Sequence, residues 1–180
     1  AKHGVLIKGG VYVESPATLK AVALDKTGTL TEGKPKVVEV VPLSGHTELE
    51  LLERVAALEE HSPHPLARAI LAYADEHGIR RKAAEGYRVI PGKGAAGRFD
   101  GREFWVGSHR YLEERRQETP EVHDQLEALA RAGRTVVVVG NEEHVCGFIA
   151  LADTVRPVAR QAVSDMRAAG VEHIVMLTGD

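Results

Sequence analysis

Asp25 opens the run Asp-Lys-Thr-Gly-Thr-Leu-Thr that closes at Thr31, and it follows the mostly apolar stretch Leu19–Leu24. A carboxylate just past a buried strand sits at the carboxyl end of a parallel sheet, where α/β folds gather their ligands. Such a carboxylate can attack phosphorus and form an aspartyl phosphate, with Mg²⁺ neutralising the transferred group. The amides of the Lys26-Thr27-Gly28 turn and the Thr29 hydroxyl can surround a phosphoryl group. Phosphatases of this general design carry a second acid two positions after the nucleophile to activate water, and here that position is Thr27. Without the acid an acyl phosphate persists, which suits a machine that couples phosphorylation to movement.

Two weaker signals lie further along. His64 stands between Pro63 and Pro65 where a loop enters a helix, so rigid backbone on both sides restrains its ring. A fixed imidazole can stack on a purine or hydrogen-bond to it. Pro91–Gly97, PGKGAAG, places glycines beside a strand, where missing Cβ atoms let a ligand approach the backbone. Its spacing fits neither a Walker loop nor a dinucleotide fingerprint. The nine histidines are scattered, no two at the i,i+4 spacing of a helical zinc site, and read as solvated surface groups. Cys146 is the single cysteine, so neither a disulfide framework nor a cysteine zinc site is expected.

The elements that must carry these residues follow from periodicity. Leu19–Leu24 and Pro35–Val41 read as strands, and from Glu48 the period becomes helical through Leu51, Val55 and Leu58. Ser62-Pro63 is expected to cap and open a second helix with Leu66, Ala69, Ile70 and Tyr73. Tyr87–Ile90 reads as a strand, Asp100-Gly101 as a hairpin turn, and Thr119-Pro120 as a helix start. Val136–Val139 and Val145–Ala152 read as strands turning at Gly140-Asn141, followed by a helix through Ala162 and Met166 and a strand at Ile174–Leu177. This order predicts a discontinuous doubly wound α/β domain interrupted by a compact α+β insert.

With 23 basic against 26 acidic side chains, the 180-residue chain has no cationic field for nucleic acid. No stretch approaches the ~18 apolar residues of a membrane-spanning helix. The abrupt start and the stop after a strand at Thr178-Gly179-Asp180 suggest a piece of a longer protein.

DKTGTLT with its following GKP, SPHPLA, PGKGAAG, LADTVRP and MLTGD, in that order, resemble the cytosolic part of heavy-metal-transporting P-type ATPases. The resemblance spans nearly the whole chain, and the His-Pro dipeptide of SPHPLA points to the metal-transporting branch. It implies ATP and Mg²⁺ as cofactors and Asp25 as the residue phosphorylated by ATP. Lys26, Thr27, Gly28, Thr29, Thr178 and Gly179 are then expected around phosphate and magnesium. Glu59 and His64 are expected to line the adenine pocket, with Glu60 and His61 as competitors. By the same resemblance Gly92, Lys93 and Gly94 face the nucleotide. Ser108 stands where many members carry asparagine and keeps only a hydroxyl for that contact.

The implied architecture is a truncated, haloacid-dehalogenase-like phosphorylation domain over 1–33 and 147–180. An antiparallel-sheet nucleotide-binding domain over 34–146 interrupts it. Asp153 and Arg156 are expected to pair with each other or to brace the domain junction. The family's later lysine and GDG-type loop would lie beyond Asp180, so the fragment alone is expected to bind ATP with little turnover. Implied partners are ATP, the rest of the polypeptide (membrane helices, actuator domain, remaining phosphorylation domain) and a transported heavy-metal cation with no ligands in this chain. GVLIKGG and MLTGD lean toward zinc, cadmium or lead over copper. The implied location is the cytosolic side of an integral membrane protein. Two other classes stand against this one: a soluble phosphatase or phosphotransferase on the same fold, and a non-catalytic nucleotide-sensing module.

Overall fold

The computed structural model describes residues 6–177. The chain divides into two compact units, one over 1–33 and 153–180, the other over 34–152. Among the described residues the elements are α1 (Val11–Glu14), β1 (Ala21–Asp25), β2 (Thr31–Pro42), α2 (Glu48–Glu59), α3 (Pro65–Glu76), β3 (Glu85–Ile90), β4 (Gly94–Phe99) and β5 (Arg102–Gly107). They continue with α4 (His109–Arg115), α5 (Pro120–Arg131), β6 (Thr135–Asn141), β7 (Val145–Val155), α6 (Ala159–Ala168) and β8 (His173–Leu177). No helix among them is long and apolar enough to cross a membrane.

In the first unit β1 pairs in parallel with β8, Ala21 opposite His173 and Asp25 opposite Leu177. The helix α6 lies between β7 and β8 in the chain. In the second unit the sheet order is β2-β7-β6-β5-β4-β3, with β3 to β7 paired antiparallel. The α/β unit interrupted by an α+β insert with an antiparallel sheet is therefore present. The second crossing between units falls after Ala152, not after the Cys146 predicted from sequence. The reason is that Val145–Leu151 pair with β6 in the sheet of the second unit.

The sheet of the second unit is covered on both faces. On one, Leu51, Val55 and Leu58 of α2 and Ile70 of α3 pack with Val106, Val139 and Ile149. On the other, Leu112 of α4 and Val122 and Leu126 of α5 pack with Trp105, Val138 and Phe148. Full burial of each such side chain is worth about 1.5–3 kcal/mol, so this double-faced core is where the stability lies.

Local details depart from the sequence reading in three places. Helix α3 starts at Pro65 with His64 as its cap, not at Ser62-Pro63; the His64 Nδ1 accepts from the Leu66 amide at 3.2 Å. The β6–β7 turn lies at 142–144 and not at Gly140-Asn141, because Asn141 Oδ1 accepts from the Glu143 and His144 amides, both at 2.8 Å. Helix α4 was not expected; Ser108 caps it, accepting from the Tyr111 amide at 3.4 Å.

Candidate functional site

Asp25 ends β1 with its side chain exposed, and the chain then turns through residues 26–30. Gly28 has φ +80°, a conformation that a residue with a Cβ adopts only at a cost, so this turn requires glycine. Thr31 is the hub of the loop and is 4% exposed. Its hydroxyl accepts from the Gly28 amide at 3.2 Å and lies within reach of the Lys26 carbonyl (3.0 Å) and the Asp153 carboxylate. Asp153 Oδ2 also accepts from the Gly33 amide at 3.1 Å. Arg156 donates to the carbonyls of Gly28 (2.9 Å) and Thr29 (3.1 Å), and its amide donates to Leu30 O at 2.9 Å.

Two polar residues some 120 positions away in the chain therefore clamp the loop within its own unit. Sequence reasoning noticed Asp153 and Arg156 but assigned them to each other or to the domain junction; the structure assigns them to the Asp25 loop. It placed Thr31 only as the last residue of the motif and gave it no role, although a threonine opening a strand was the available signal. Lys26, Thr27, Gly28 and Thr29 form the turn after Asp25, with Thr27, Gly28 and Thr29 exposed. Thr178 and Gly179, expected beside them, lie outside the described residues.

A second grouping forms at the end of α2. The Glu59 carbonyl accepts from the Ser62 amide at 2.9 Å, and the Ser62 hydroxyl accepts from the His64 amide at 3.4 Å, so Glu59 and His64 share one short loop. Burial raises the Glu59 carboxyl above its ordinary value, against the hydrogen bond from Ser62 and the His64 charge. Tyr87 is raised too, by burial and then by Glu59. Tyr87 was not foreseen; His61, a competitor for the site, meets it edge-on at 5.8 Å. Because His64 Nδ1 accepts the capping bond, its neutral ring carries the proton on Nε2. That leaves an exposed N–H donor on a rigid loop.

A third grouping lies at the β3–β4 turn. Gly94 pairs with Gly107 in register, and the Ser108 amide donates to Lys93 O at 3.3 Å, so the glycine turn and Ser108 are neighbours. A Cβ on Gly94 would stand 1.8 Å from the Val106 carbonyl, so only glycine fits there. Gly92 has φ +70°. The Lys93 ammonium pairs with Glu114 of α4, and the Ser108 hydroxyl is taken up by its helix cap. Helix α2 lies over β4: a Cβ on Gly97 would stand 3.1 Å from Leu58, the residue before Glu59.

The reading of all nine histidines as solvated is corrected. His46 Nε2 and His144 Nε2 are 3.1 Å apart, both half-buried, with Cys146 beside them. A hairpin and the loop before α2 bring together residues that sequence spacing kept apart. His109 and His123 both hydrogen-bond Glu118 Oε1, at 2.7 and 2.9 Å. Burial opposes ionisation of Glu118, but these bonds outweigh it and hold the carboxyl below its ordinary value. Burial, then the Glu50 charge, pushes the Cys146 thiol up to about 12, so it is no nucleophile.

Residues 19–180 match the haloacid dehalogenase-like hydrolases. The chain belongs to that family. The chain is 38% identical over its whole length to a probable cadmium-transporting ATPase of Staphylococcus aureus, strain MRSA252, and covers 26% of that protein. It is 43% identical over its whole length to a copper-exporting P-type ATPase B of Archaeoglobus fulgidus, covering 25% of it. Among solved structures it is similar to a zinc-transporting PIB-type ATPase in an E2·Pi state, with a TM-score of 0.76 and 38% identity, over 99% of this chain and 29% of that one. The resemblance to metal-transporting P-type ATPases thus extends end to end, and the chain spans about a quarter of the length of these relatives.

Proposed function

We propose that this hydrolase is the ATP-binding and phosphorylation portion of a P-type ATPase that drives a heavy-metal cation across a membrane, facing the cytosol. The observation that carries the reading is the end-to-end match to metal ATPases, joined to an exposed Asp25 at the carboxyl end of a parallel strand with its loop clamped by Thr31, Asp153 and Arg156. One Asp25 carboxylate oxygen attacks the γ-phosphorus of ATP. The new O–P bond forms as the bond to the β,γ-bridging oxygen breaks, and ADP leaves with that electron pair. Arg156 holds the loop's carbonyls and Asp153 holds the Thr31 hydroxyl and the Gly33 amide, which leaves the loop's exposed face to the phosphoryl group.

Asp25 and Thr27 offer only oxygen donors, the set that Mg²⁺ takes, and an ion held there would neutralise phosphoryl charge. Lys26, Gly28 and Thr29 complete this end of the site in the proposal, with Thr178 and Gly179. Thr27 in place of an acid keeps water from being activated, so the phosphoenzyme persists. In the second unit Glu59 and His64 receive the adenine, and the glycine turn at Gly92, Lys93 and Gly94 receives the phosphates. Ser108 is the neighbouring contact, and Lys93 would exchange Glu114 for the nucleotide. On GVLIKGG and MLTGD the metal is of the zinc, cadmium or lead class.

Calorimetric titration with ATP on the wild-type chain and on His64→Ala tests this reading. Saturable binding that weakens at least tenfold in the variant is expected. Binding unchanged by the substitution, or none to the folded wild type, would overturn it.

A further inference from the structure

His46, His144 and Cys146 serve no step of the proposed reaction, and their ligand-capable atoms all lie within 4.8 Å of one another. We propose that these three side chains form a site for a divalent zinc-type cation, with a water from the adjoining cleft as fourth ligand. The inference does not rest on the ATPase reading.

The donor set is chemically selective. Two imidazoles and a thiolate suit zinc and other borderline ions over Mg²⁺ or Ca²⁺, which take oxygen. In a tetrahedral zinc site, bonds of about 2.0–2.1 Å to nitrogen and 2.3 Å to sulfur place two nitrogens roughly 3.3 Å apart and nitrogen and sulfur roughly 3.6 Å apart. The two Nε2 atoms are already 3.1 Å apart. The ring of His144 has a defined proton state: the bonds to Asn141 Oδ1 fix that amide so that its Nδ2 faces His144 Nε2 at 3.3 Å. His144 Nε2 is therefore the unprotonated nitrogen, and a cation takes over the lone pair that now accepts from Asn141 Nδ2.

The second ring is oriented from behind. His46 Nδ1 faces Glu50 Oε2 at 3.7 Å, the carboxylate–histidine arrangement that turns the other nitrogen toward a metal. Glu50 is itself held by the capping box at the start of α2, accepting from the Thr47 amide at 3.0 Å. The backbone around the ligands is tied as tightly. The Leu43 amide donates to Cys146 O (2.8 Å), the Ser44 hydroxyl to Val145 O (3.1 Å) and the Asn141 amide to His144 O (3.0 Å). A cleft of about 210 Å³ reaches the cluster at His46 and Glu50, with Arg54, Asp100 and Arg102 also on its wall. On binding, the proton between the two imidazoles passes to His46 Nδ1, on the side of Glu50, so that ring stays neutral, and the Cys146 thiol proton is released to solvent.

Titration of the chain with Co²⁺, followed by displacement with Zn²⁺, tests the site. A thiolate-to-cobalt charge-transfer band with tetrahedral d–d bands is expected at one ion per chain, lost in Cys146→Ser. Affinity should fall more than tenfold in His46→Ala and stay unchanged in His109→Ala, which touches only the other histidine cluster. Should Cys146→Ser not fold, His46→Ala decides, since that side chain is 20% exposed. The melting temperature should rise with saturating Zn²⁺ in the wild type and not in His46→Ala. Absence of the charge-transfer band, its survival in folded Cys146→Ser, or equal affinity in His46→Ala would each overturn the proposal, leaving a cluster joined by protons alone.

Discussion

The unit carrying Asp25 and the unit carrying the six-stranded sheet are built on different forces. Among the described residues of the first, only Thr31, Ala159 and Val171 are buried, and β1 alternates exposed and half-buried positions. Its chemistry sits in a loop held by hydrogen bonds from Thr31, Asp153 and Arg156. In the second, the first seven residues of β7 are all buried and Trp105 and Phe148 lie at 0% exposure. A loop proposed to admit a phosphoryl group cannot be packed over, so polar bonds set its shape. A unit proposed only to bind can rest on apolar packing and keep its polar groups at the rim.

The comparison breaks most readily at the core. Trp105→Ala removes a fully buried ring with two hydrogen bonds from its Nε1, to Asn141 O and Gln117 Oε1. It is expected to cost about 3–5 kcal/mol, read by urea unfolding of the sheet unit. A cost below about 1 kcal/mol would mean that packing is not what holds that unit.

Arg156→Ala tests the opposite case. It leaves two carbonyls of the Asp25 loop without their donor but empties no core. Unfolding of the sheet unit should be unchanged within ~0.5 kcal/mol. ATP turnover of the intact protein should fall about 10–100-fold at constant KM for ATP, as loop displacement predicts. An unchanged rate would remove Arg156 from the loop's support.

The smallest expected effect is at Glu59. Its folded-state pKa is raised, chiefly by burial, so the stability tied to its protonated form is present below the ordinary carboxylate value and lost as pH rises through the raised one. At neutral pH the ionised group is therefore a cost, and Glu59→Gln should raise the melting temperature slightly while weakening nucleotide binding. The gain should vanish on acidification. A gain that persists at low pH would assign it to packing instead of charge.

Much of this was legible in the chain. The strand before Asp25, the glycine turn at Gly28, the amphipathic run of α2 and the Thr119-Pro120 start of α5 are local events, set by periodicity, φ preference and capping over a few residues. Helix α4 escaped because seven residues with two buried positions carry too little period to see. The start of α3 was expected at Ser62-Pro63 because hydroxyls are the usual caps, whereas here the His64 imidazole accepts the amide.

By itself the sequence determined the Asp25 motif, the order of elements and the family, since each depends on neighbours in the chain. Only the tertiary structure decided which distant side chains meet. Asp153 and Arg156 close on the Asp25 loop, and His46 comes to face His144 and Cys146. Sheet register and helix packing make those encounters, and both are set by burial over the whole unit, which no short stretch of residues encodes.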